Sequence, residues 1–453
     1  MTQVEQLAAF VQKSSYERLP EDVRAALKVR ILDALGCALG ALEGAPMRSV
    51  RALVEELGGS RRCALIGGGF SAPDRAAFLN CALVRYLDFN DSYLAPGETC
   101  HPSDNLGAVL AACEYAGRSG KDLLVALAVS YQVQCRLSDE APVRAKGFDH
   151  TTQGAYAVAA GVSKALDLGA AQTGNAIAIS GTAYNALRVT RTGALSNWKG
   201  LAYANTALGA VHAALLARQG ITGPAEVFEG NKGFMDAIAG RFSIDWAAED
   251  LQRVTRTIVK KYNAEIHSQS AIEGLLELKR EAGFEAAAVQ QIELDTFDVA
   301  YHIIGGGEEG DKTRVRTKEE ADHSLPYMLA AALLDGEVTP EQYRPERIVR
   351  EDIQSLLRRI RIRPVPEYGG RFPGRMPCRL KVSLRDGRVL TKEKQDYEGF
   401  HTRPMSWEGA VGKFQSLAAR RAGERECARI VEAVAGLENI QAAELAALLE
   451  KVR

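Results

Sequence analysis

The feature that most limits the possible folds of this chain is a series of helical apolar patterns that fills its N-terminal half. Apolar residues recur there at three- and four-residue steps, and short turns marked by glycine or proline separate the segments. Small residues crowd the later segments, which predicts closely packed central helices. No convincing strand pattern follows any segment, so we predict an all-α domain rather than β-α-β units. The segments are 20–44, 74–87, 104–117, 121–137, 152–166, 170–182 and 202–218.

Strand patterns begin only in the second half of the chain. Two alternating arms flank Asp386-Gly387, a dipeptide that is a strong hairpin signal. The predicted strands are 291–296, 359–363 and the two arms within 378–390, and the predicted helices between them are 268–282, 321–335 and 350–357. After residue 404 the pattern is helical again.

These patterns predict a mainly α chain with two domains. The large all-α helical domain covers 1–267, and a smaller α+β domain covers 268–400. The C-terminal helices, 401–453, are expected to return to the helical domain.

Charge and cysteine usage exclude several classes of protein. The chain has 56 Lys and Arg residues against 57 Asp and Glu residues, a formal net charge of -1 at pH 7. A protein that neutralises many phosphates needs a basic surplus, so we expect no nucleic-acid partner. The eight cysteines are scattered without a CxxC pair. We therefore expect thiols in a reducing compartment, and no disulfide framework, zinc site or iron–sulfur cluster.

The N-terminal residues do not read as a targeting segment. They lack the basic start and apolar stretch of a signal peptide. The Ala-rich helical patterns are broken by charge or glycine before 18 residues, so we expect no membrane-spanning helix. A cytoplasmic protein without a membrane partner is the resulting expectation.

Three of the seven histidines lie at turn-like boundaries among polar residues. His101 follows a loop containing Gly and Pro and precedes a capping sequence at 102–105. His150 precedes the Ala-rich helical pattern, where a capping role is the plain alternative to a catalytic one. His267 lies near the predicted domain boundary, and clefts at such boundaries are favoured ligand sites.

Three cations interrupt an otherwise nearly uncharged region between residues 155 and 217. Arg188, Arg191 and Lys199 must either face solvent or be compensated by an anion, because burying an unpaired charge is costly. With the histidines, they suggest a pocket for a small polycarboxylate, since guanidinium groups bind carboxylates bidentately.

The chain resembles the MmgE/PrpD family at motifs spread over almost its whole length. The matching motifs are Ile31-Leu32-Asp33-Ala34-Leu35-Gly36, Asp88-Phe89-Asn90-Asp91, His101-Pro102-Ser103-Asp104-Asn105-Leu106-Gly107, Gly147-Phe148-Asp149-His150, Ala264-Glu265-Ile266-His267-Ser268-Gln269, Ala321-Asp322-His323-Ser324-Leu325-Pro326-Tyr327 and Leu333-Leu334-Asp335-Gly336. Each motif is moderately specific, and their order and spacing together indicate the family. The resemblance implies a large helical domain and a smaller α+β lid. It also implies a homodimer that works without a metal or an organic cofactor.

The family's site residues can be carried over position by position. The resemblance places the active-site aspartate and loop histidine at Asp91 and His101, and the lid tyrosine at Tyr327. The implied catalytic residues are Asp91, His101, His150, Lys199 and His267, and the implied substrate-binding residues are Arg188, Arg191, Lys261 and Tyr327.

The resemblance implies a metal-independent lyase that acts on a small polycarboxylate, and we predict dehydration of the 2-methylcitrate dehydratase type. His101 and His150 are the expected acid/base pair, in either order, with Asp91 orienting a histidine. The cations are expected to hold carboxylates, while His267 and Tyr327 close over the substrate.

Four alternatives remain at this point. A cis-aconitate decarboxylase-like or an iminodisuccinate epimerase-like enzyme could use the same residues, although Ala95 stands where decarboxylase-type members place a threonine or a similar polar residue. A polycarboxylate-binding protein needs the cations but not the acid/base histidines. A helical scaffold needs neither.

Overall fold

The computed structural model describes residues 1–193 and 195–452, which form two compact units. The first unit contains 1–191, 197–259 and the chain from Met405 onward. The second contains 260–404 together with residues 192, 193, 195 and 196. The predicted mainly α architecture, a large helical part with a smaller α+β part, is confirmed.

The boundary between the units lies at 259/260, whereas the sequence placed it at 267/268. Backbone hydrogen bonds account for the difference. Ile258 exchanges both backbone hydrogen bonds with Ser92 of the first unit, whereas Asn263 N–H donates to the carbonyl of Val338 and Glu265 N–H to that of Asp322, both in the second unit.

The first unit is built from helices that are numbered along the chain. They are α1 (Gln3–Lys13), α2 (Glu21–Gly40), α3 (Ala45–Leu57), α4 (Pro73–Tyr86), α5 (Leu106–Tyr115), α6 (Gly120–Glu140), α7 (Thr151–Ala165), α8 (Ala170–Ala183), α9 (Trp198–Arg218), α17 (Trp407–Ala418), α18 (Glu424–Ala435) and α19 (Ala442–Glu450). Helix α7 packs against α6, α8 and α9, and α4 packs against α5 and α9. These contacts form the apolar core of the unit.

Two short hairpins interrupt the helical unit, which is therefore not all-α as predicted. They pair β1 (Cys63–Ala64) with β2 (Phe70–Ser71), and β3 (Tyr93–Ala95) with β4 (Glu98–Cys100). Strands of two or three residues are too short to show an alternating pattern, which is why the sequence did not reveal them.

A buried ion pair fastens the C-terminal helices to the start of the chain. Lys413 Nζ on α17 lies 2.6 Å from Asp33 Oδ1 on α2, and both side chains are buried. The same ammonium lies 3.6 Å from the centroid of the Phe89 ring, close enough for a cation–π contact. Because a buried charge needs a partner, these contacts specify how α17 packs on α2.

One helix among the described residues, α9, is long and apolar enough to cross a membrane by length and composition. The expectation that charge or glycine would break every Ala-rich helical segment before 18 residues was wrong, because α9 begins at Trp198 and continues through Gly200 and Gly209. However, 61% of its most apolar stretch is buried, and it packs against α4, α7 and α8, as a core helix does.

The second unit combines short helices with one four-stranded sheet. Its elements are α10 (Gln269–Ala282), β5 (Val289–Thr296), α11 (Asp298–Ile304), α12 (Lys318–Ala321), α13 (Leu325–Asp335), α14 (Pro345–Ile348), α15 (Glu351–Leu357), β6 (Ile360–Pro364), α16 (Pro366–Gly369), β7 (Cys378–Leu384) and β8 (Val389–Lys394). The strand order is β6-β5-β7-β8, with β5 and β6 parallel and the other pairs antiparallel. The predicted hairpin at Asp386-Gly387 joins β7 to β8.

Alternation along β5 gives this sheet two different faces. Ile292 and Leu294 are fully buried in the core of the unit. Glu293 and Asp295 point the other way and pair with cations of the neighbouring strands, Glu293 with Lys381 at 2.8 Å and Asp295 with Arg363 at 2.9 Å. The sheet therefore has one apolar and one charged face.

Glycine at the contact between α6 and α7 provides a test of this packing. A Cβ at Gly161 would lie 1.8 Å from Ser130 Oγ and 2.9 Å from the backbone oxygen of Ala126. We expect Gly161→Ala to lower the free energy of unfolding by about 1–3 kcal/mol through overpacking, although alanine is the better helix former. The control is Gly412→Ala on α17, where nothing lies within 4 Å of the added Cβ. It should raise stability by about 0.5–1 kcal/mol in the same denaturant titration, and equal effects of the two changes would contradict this account of the packing.

Candidate functional site

His101 is positioned in the first unit by the hairpin β3-β4 and the 3-10 helix Pro102–Asn105. Its side chain is buried, and Nδ1 lies 2.8 Å from the backbone oxygen of Asp91 and 3.1 Å from Ser92 Oγ. A carbonyl oxygen can only accept, so Nδ1 must carry the proton. In the neutral ring Nε2 then holds the lone pair, which makes it the atom that can take a proton.

Asp91 supports this loop in a different way from that predicted. Its carboxylate does not contact the imidazole: Oδ1 accepts from the backbone N–H of Ser103 at 3.0 Å and Oδ2 from the hydroxyl of Tyr131 at 2.7 Å. Burial raises the pKa of Asp91, and the hydrogen bonds from Ser103 and Tyr131 oppose that shift. The Asp91 backbone carbonyl, rather than its carboxylate, therefore orients His101.

His150 is the N-cap residue of α7, but its side chain makes no capping hydrogen bond. Its Nε2 lies 3.1 Å from Arg191 Nη2, which can only donate, so Nε2 accepts and Nδ1 carries the proton. Among the described residues, that buried Nδ1 has no hydrogen-bond partner. Asp149 holds Arg191 in place, because its Oδ2 lies 2.8 Å from Arg191 Nε.

Burial and the neighbouring arginines keep the ring of His150 neutral. Burial lowers the pKa of His150 to about 3, and although Asp149 opposes this shift, Arg191 and Arg85 reinforce it. For Asp149, burial alone would raise the pKa, but Arg191, His150 and Arg188 lower it well below its usual range. The site thus contains an ionised carboxylate, a guanidinium and an uncharged imidazole.

The structure brings His101 and His150 together. Their ring centroids are 5.3 Å apart, with an angle of 72° between the planes. Tyr203 of α9 lies beside His150 at 6.1 Å, and its hydroxyl is held by Asn105 at 3.0 Å and Gln134 at 3.1 Å. We call these two histidines with Asp149, Arg191 and Tyr203 the histidine cluster.

Lys199 belongs to a second chain of buried charges in the same unit. Its ammonium lies 3.2 Å from Asp88 Oδ2, and the other oxygen of Asp88 lies 2.6 Å from Arg85 Nη1. Arg85 Nε lies 3.6 Å from Asp104 Oδ2. Burial raises the pKa of Asp104 to about 7, against the opposing influence of Arg85. Asp88 adopts a left-handed backbone conformation, with φ 54°, to bridge the two cations.

The predicted carboxylate-binding cations are therefore already paired with carboxylates of the chain itself. Arg191 pairs with Asp149, and Arg188 Nη1 lies 3.9 Å from the same carboxylate. Lys199 pairs with Asp88. The compensating anion that the sequence required is thus present within the first unit.

The remaining predicted residues lie in the second unit. His267 is buried, and its Nδ1 lies 2.7 Å from Glu265 Oε1. Lys261 pairs with Glu273 at 3.3 Å and Glu398 at 2.7 Å on a half-exposed surface. The neighbouring Lys260 is the buried one, and its charge helps to lower the pKa of Glu265.

Tyr327, the predicted lid tyrosine, lies in the interior of the second unit. It is fully buried in the apolar core of the second unit, and its hydroxyl donates to the backbone oxygen of Gln342. Position in a motif cannot show which way a helical side chain faces. The sequence analysis did not select three residues that contact the histidines or their partners. Asp149 binds Arg191, Glu265 contacts the ring of His267, and Tyr203 lies beside the ring of His150. Asp149 and Glu265 could have been found, because each is a carboxylate within two positions of a selected histidine.

Comparison with known proteins gives matches over almost the whole chain. The profile of the MmgE/PrpD N-terminal domain matches residues 5–247, and that of the MmgE/PrpD C-terminal domain matches residues 262–439. The 2-methylcitrate dehydratase of Salmonella typhimurium (strain LT2) is 30% identical over 89% of this chain and 87% of the relative. The enzyme of the same name from Cupriavidus necator is 29% identical over 86% and 85%, and the cis-aconitate decarboxylase of Mus musculus is 26% identical over 82% and 76%.

The position of Tyr327 can be tested by removing its hydroxyl. We expect Tyr327→Phe to lower the free energy of unfolding by about 1–3 kcal/mol, because the carbonyl of Gln342 loses a buried donor. The turnover number should stay within about twofold of the wild type, since the lost hydrogen bond joins the hydroxyl to a backbone carbonyl within the apolar core. A hundredfold loss of turnover without loss of stability would restore the predicted substrate contact.

The neutral state of His150 predicts a pH dependence of stability. Between pH 6.5, its ordinary pKa, and about 3, the unfolded chain binds a proton that the folded chain does not. The free energy of unfolding should therefore decrease as the pH falls through this range, by up to about 1.4 kcal/mol per pH unit from this residue. His150→Gln keeps an acceptor for Arg191 but cannot titrate. In this variant the free energy of unfolding, measured by denaturant titration from pH 7 to 4, should therefore depend less steeply on pH. The exposed His212→Gln change is the control and should keep the wild-type slope.

Proposed function

The chain belongs to the MmgE/PrpD family, and we propose that it is a lyase that dehydrates a small polycarboxylate of the 2-methylcitrate type. The alignments with the two dehydratases named above cover most of this chain and most of each relative, which supports the hydro-lyase class. The observation that carries the proposal is the pair of buried histidine rings 5.3 Å apart, each with one nitrogen committed to a fixed partner.

Dehydration of a hydroxy acid needs a base for a proton beside a carboxylate and a donor for the departing hydroxyl. His101 suits the transfer, because its Nδ1 is held by the Asp91 carbonyl and Nε2 is left as the basic atom. In this mechanism Nε2 removes the proton from carbon and passes it to the hydroxyl. The C–H and C–O bonds break, the double bond forms, and water leaves.

His150 suits a different role, because its ring stays neutral. Its Nδ1–H can donate a hydrogen bond to the carboxylate oxygen on which negative charge develops as the proton leaves carbon. A neutral imidazole is a much weaker acid than an imidazolium, so its N–H donates a hydrogen bond to the developing charge without transferring the proton. Arg191 fixes this tautomer by occupying Nε2, and Asp149 fixes Arg191. We therefore propose His101 as the base and His150 as the hydrogen-bond donor.

The other cations would contribute to binding of the substrate carboxylates. Lys199 and Arg188 each pair with a carboxylate of the chain, so a substrate carboxylate would share them with Asp88 and Asp149. A catalytic role for His267 stays a prediction, as do the homodimer, the cytoplasmic location and the absence of a membrane partner.

Decarboxylation is the second candidate, because the mouse relative is a cis-aconitate decarboxylase. The same Nδ1–H donor would stabilise the carbanion formed when the C–C bond to the departing carbon dioxide breaks. In this reaction His101 would start as the imidazolium and give its Nε2 proton to the carbanion carbon. An iminodisuccinate epimerase-like enzyme would use the two histidines as facing bases, and a binding protein would use only the cations.

The test is incubation of the purified protein with 2-methylcitrate, citrate, cis-aconitate and iminodisuccinate, followed by NMR of the products. We expect loss of water from 2-methylcitrate to be the fastest reaction. Release of carbon dioxide would favour the decarboxylase. Incorporation of solvent deuterium into iminodisuccinate without net loss of water would favour the epimerase. Tight binding without any product would favour the binding protein.

In the same assay, His101→Gln should lower the turnover number by about 10²–10⁴-fold, the usual contribution of a general acid/base. His212→Gln is the matched control, because its side chain is exposed. Near wild-type turnover of a folded His101→Gln protein would show that His101 does not carry the proton.

A further inference from the structure

Glu265 and His267 form a closely hydrogen-bonded pair in the second unit. Glu265 precedes the 3-10 helix Ile266–Ser268, and its Oε2 accepts from the backbone N–H of His267 at 2.8 Å. Its other oxygen, Oε1, lies 2.7 Å from His267 Nδ1. One carboxylate therefore holds both the backbone and the ring of the same histidine.

The charge of Glu265 is stabilised by its surroundings. Burial alone would raise the pKa of Glu265, but His267, His323 and Lys260 together lower it to about 2. Asp322, whose backbone carbonyl accepts from Glu265 N–H, directs its own carboxylate to His323 and Lys318. Glu265 is thus an ionised acceptor at every ordinary pH, and a carboxylate facing Nδ1 requires the proton to be on that nitrogen.

The opposite nitrogen of the ring is left for another partner. Within the described part of the chain, His267 Nε2 is buried and has no hydrogen-bond partner. The ring packs between two aromatic side chains, with centroids 5.7 Å from Phe297 and 5.5 Å from Phe372, which are themselves stacked at 4.7 Å. Aromatic walls hold the ring without engaging its polar atoms, and a buried polar atom without a partner is unusual unless a ligand meets it.

We propose that Glu265 is a positioning residue that keeps the proton of His267 on Nδ1, so that Nε2 presents a lone pair that can accept a hydrogen bond or a proton from a bound substrate. This inference rests on the proposed lyase function for its catalytic part. The arrangement follows the logic of the carboxylate–histidine pairs of hydrolases, in which the carboxylate sets the tautomer and stabilises the protonated ring.

Glu265→Gln separates tautomer control from packing. An amide has one acceptor and one NH₂ donor, and the backbone N–H of His267 can only donate, so it takes the amide oxygen. The NH₂ group then faces Nδ1, which must accept, and the ring proton moves to Nε2. Glu265→Asp keeps the charge and should keep the wild-type tautomer. Glu293→Gln, which removes a carboxylate paired with Lys381 on the charged face of the sheet, is the matched control.

The decisive measurement needs no substrate. Nitrogen-15 NMR of the histidine-labelled full chain, with His267→Gln to assign the ring, reports which nitrogen is protonated once the signals stop changing with rising pH. We expect protonated Nδ1 in the wild type, Glu265→Asp and Glu293→Gln, and protonated Nε2 in Glu265→Gln. Protonated Nε2 in the wild type, or an unchanged tautomer in Glu265→Gln, would overturn the proposal.

The catalytic part is measured on the substrate that the wild type turns over. Glu265→Gln should lower kcat by about a hundredfold or more with KM within about threefold, and Glu265→Asp should recover part of the loss. Wild-type kcat in Glu265→Gln would overturn the positioning role. If the wild type itself acted on none of the tested acids, the proposed function would fail, while the NMR result would still decide the tautomer.

Discussion

The buried ion pair between Asp149 and Arg191 is the interaction on which the histidine cluster depends. Neither charge could remain in this interior alone, and their pairing commits two loops to one arrangement. The backbone supports the same arrangement, because Asp149 N–H donates to the carbonyl of Ala186 and Arg188 N–H to that of Gly147. Arg191 then has a donor left over for His150. The guanidinium that this salt bridge holds thus fixes the orientation and the tautomer of His150.

All three histidines selected from the sequence are governed by the same physical rule. Each has one ring nitrogen facing a group that can act in only one way: a carbonyl at His101, a guanidinium at His150 and a carboxylate at His267. The carbonyl and the carboxylate are acceptors, so each fixes the proton on the ring nitrogen that faces it. The guanidinium is a donor, so it fixes the proton on the ring nitrogen that faces away from it. The partner, and not the histidine, therefore decides whether the remaining nitrogen is basic or acidic.

How accurately the sequence predicts each secondary-structure element depends on how many residues its apolar pattern spans. Helices such as α6 and α7 span several turns, so their apolar periodicity located them to within a few residues. The strands β1 and β2 have two residues each, which is too short for an alternating pattern, and only their pairing with each other defines them. In the site, motifs located His101 and His150, but the side-chain directions of Tyr327 and Lys261 depend on packing and ion pairs that no local pattern encodes.

The pairing of Asp33 with Lys413 has a consequence for how the protein is made. The first unit cannot close until α17 has been synthesised, and the whole second unit lies between these two residues in the chain. At ordinary rates of translation, Asp33 waits on the order of tens of seconds for its partner. During that interval the side of α2 that contacts α17 is uncovered, so the nascent first unit exposes an apolar surface and the carboxylate of Asp33 without Lys413. The second unit, which is continuous from residue 260 to 404, has no such wait. Biosynthesis therefore favours completion of the inserted unit before the unit that carries the histidine cluster.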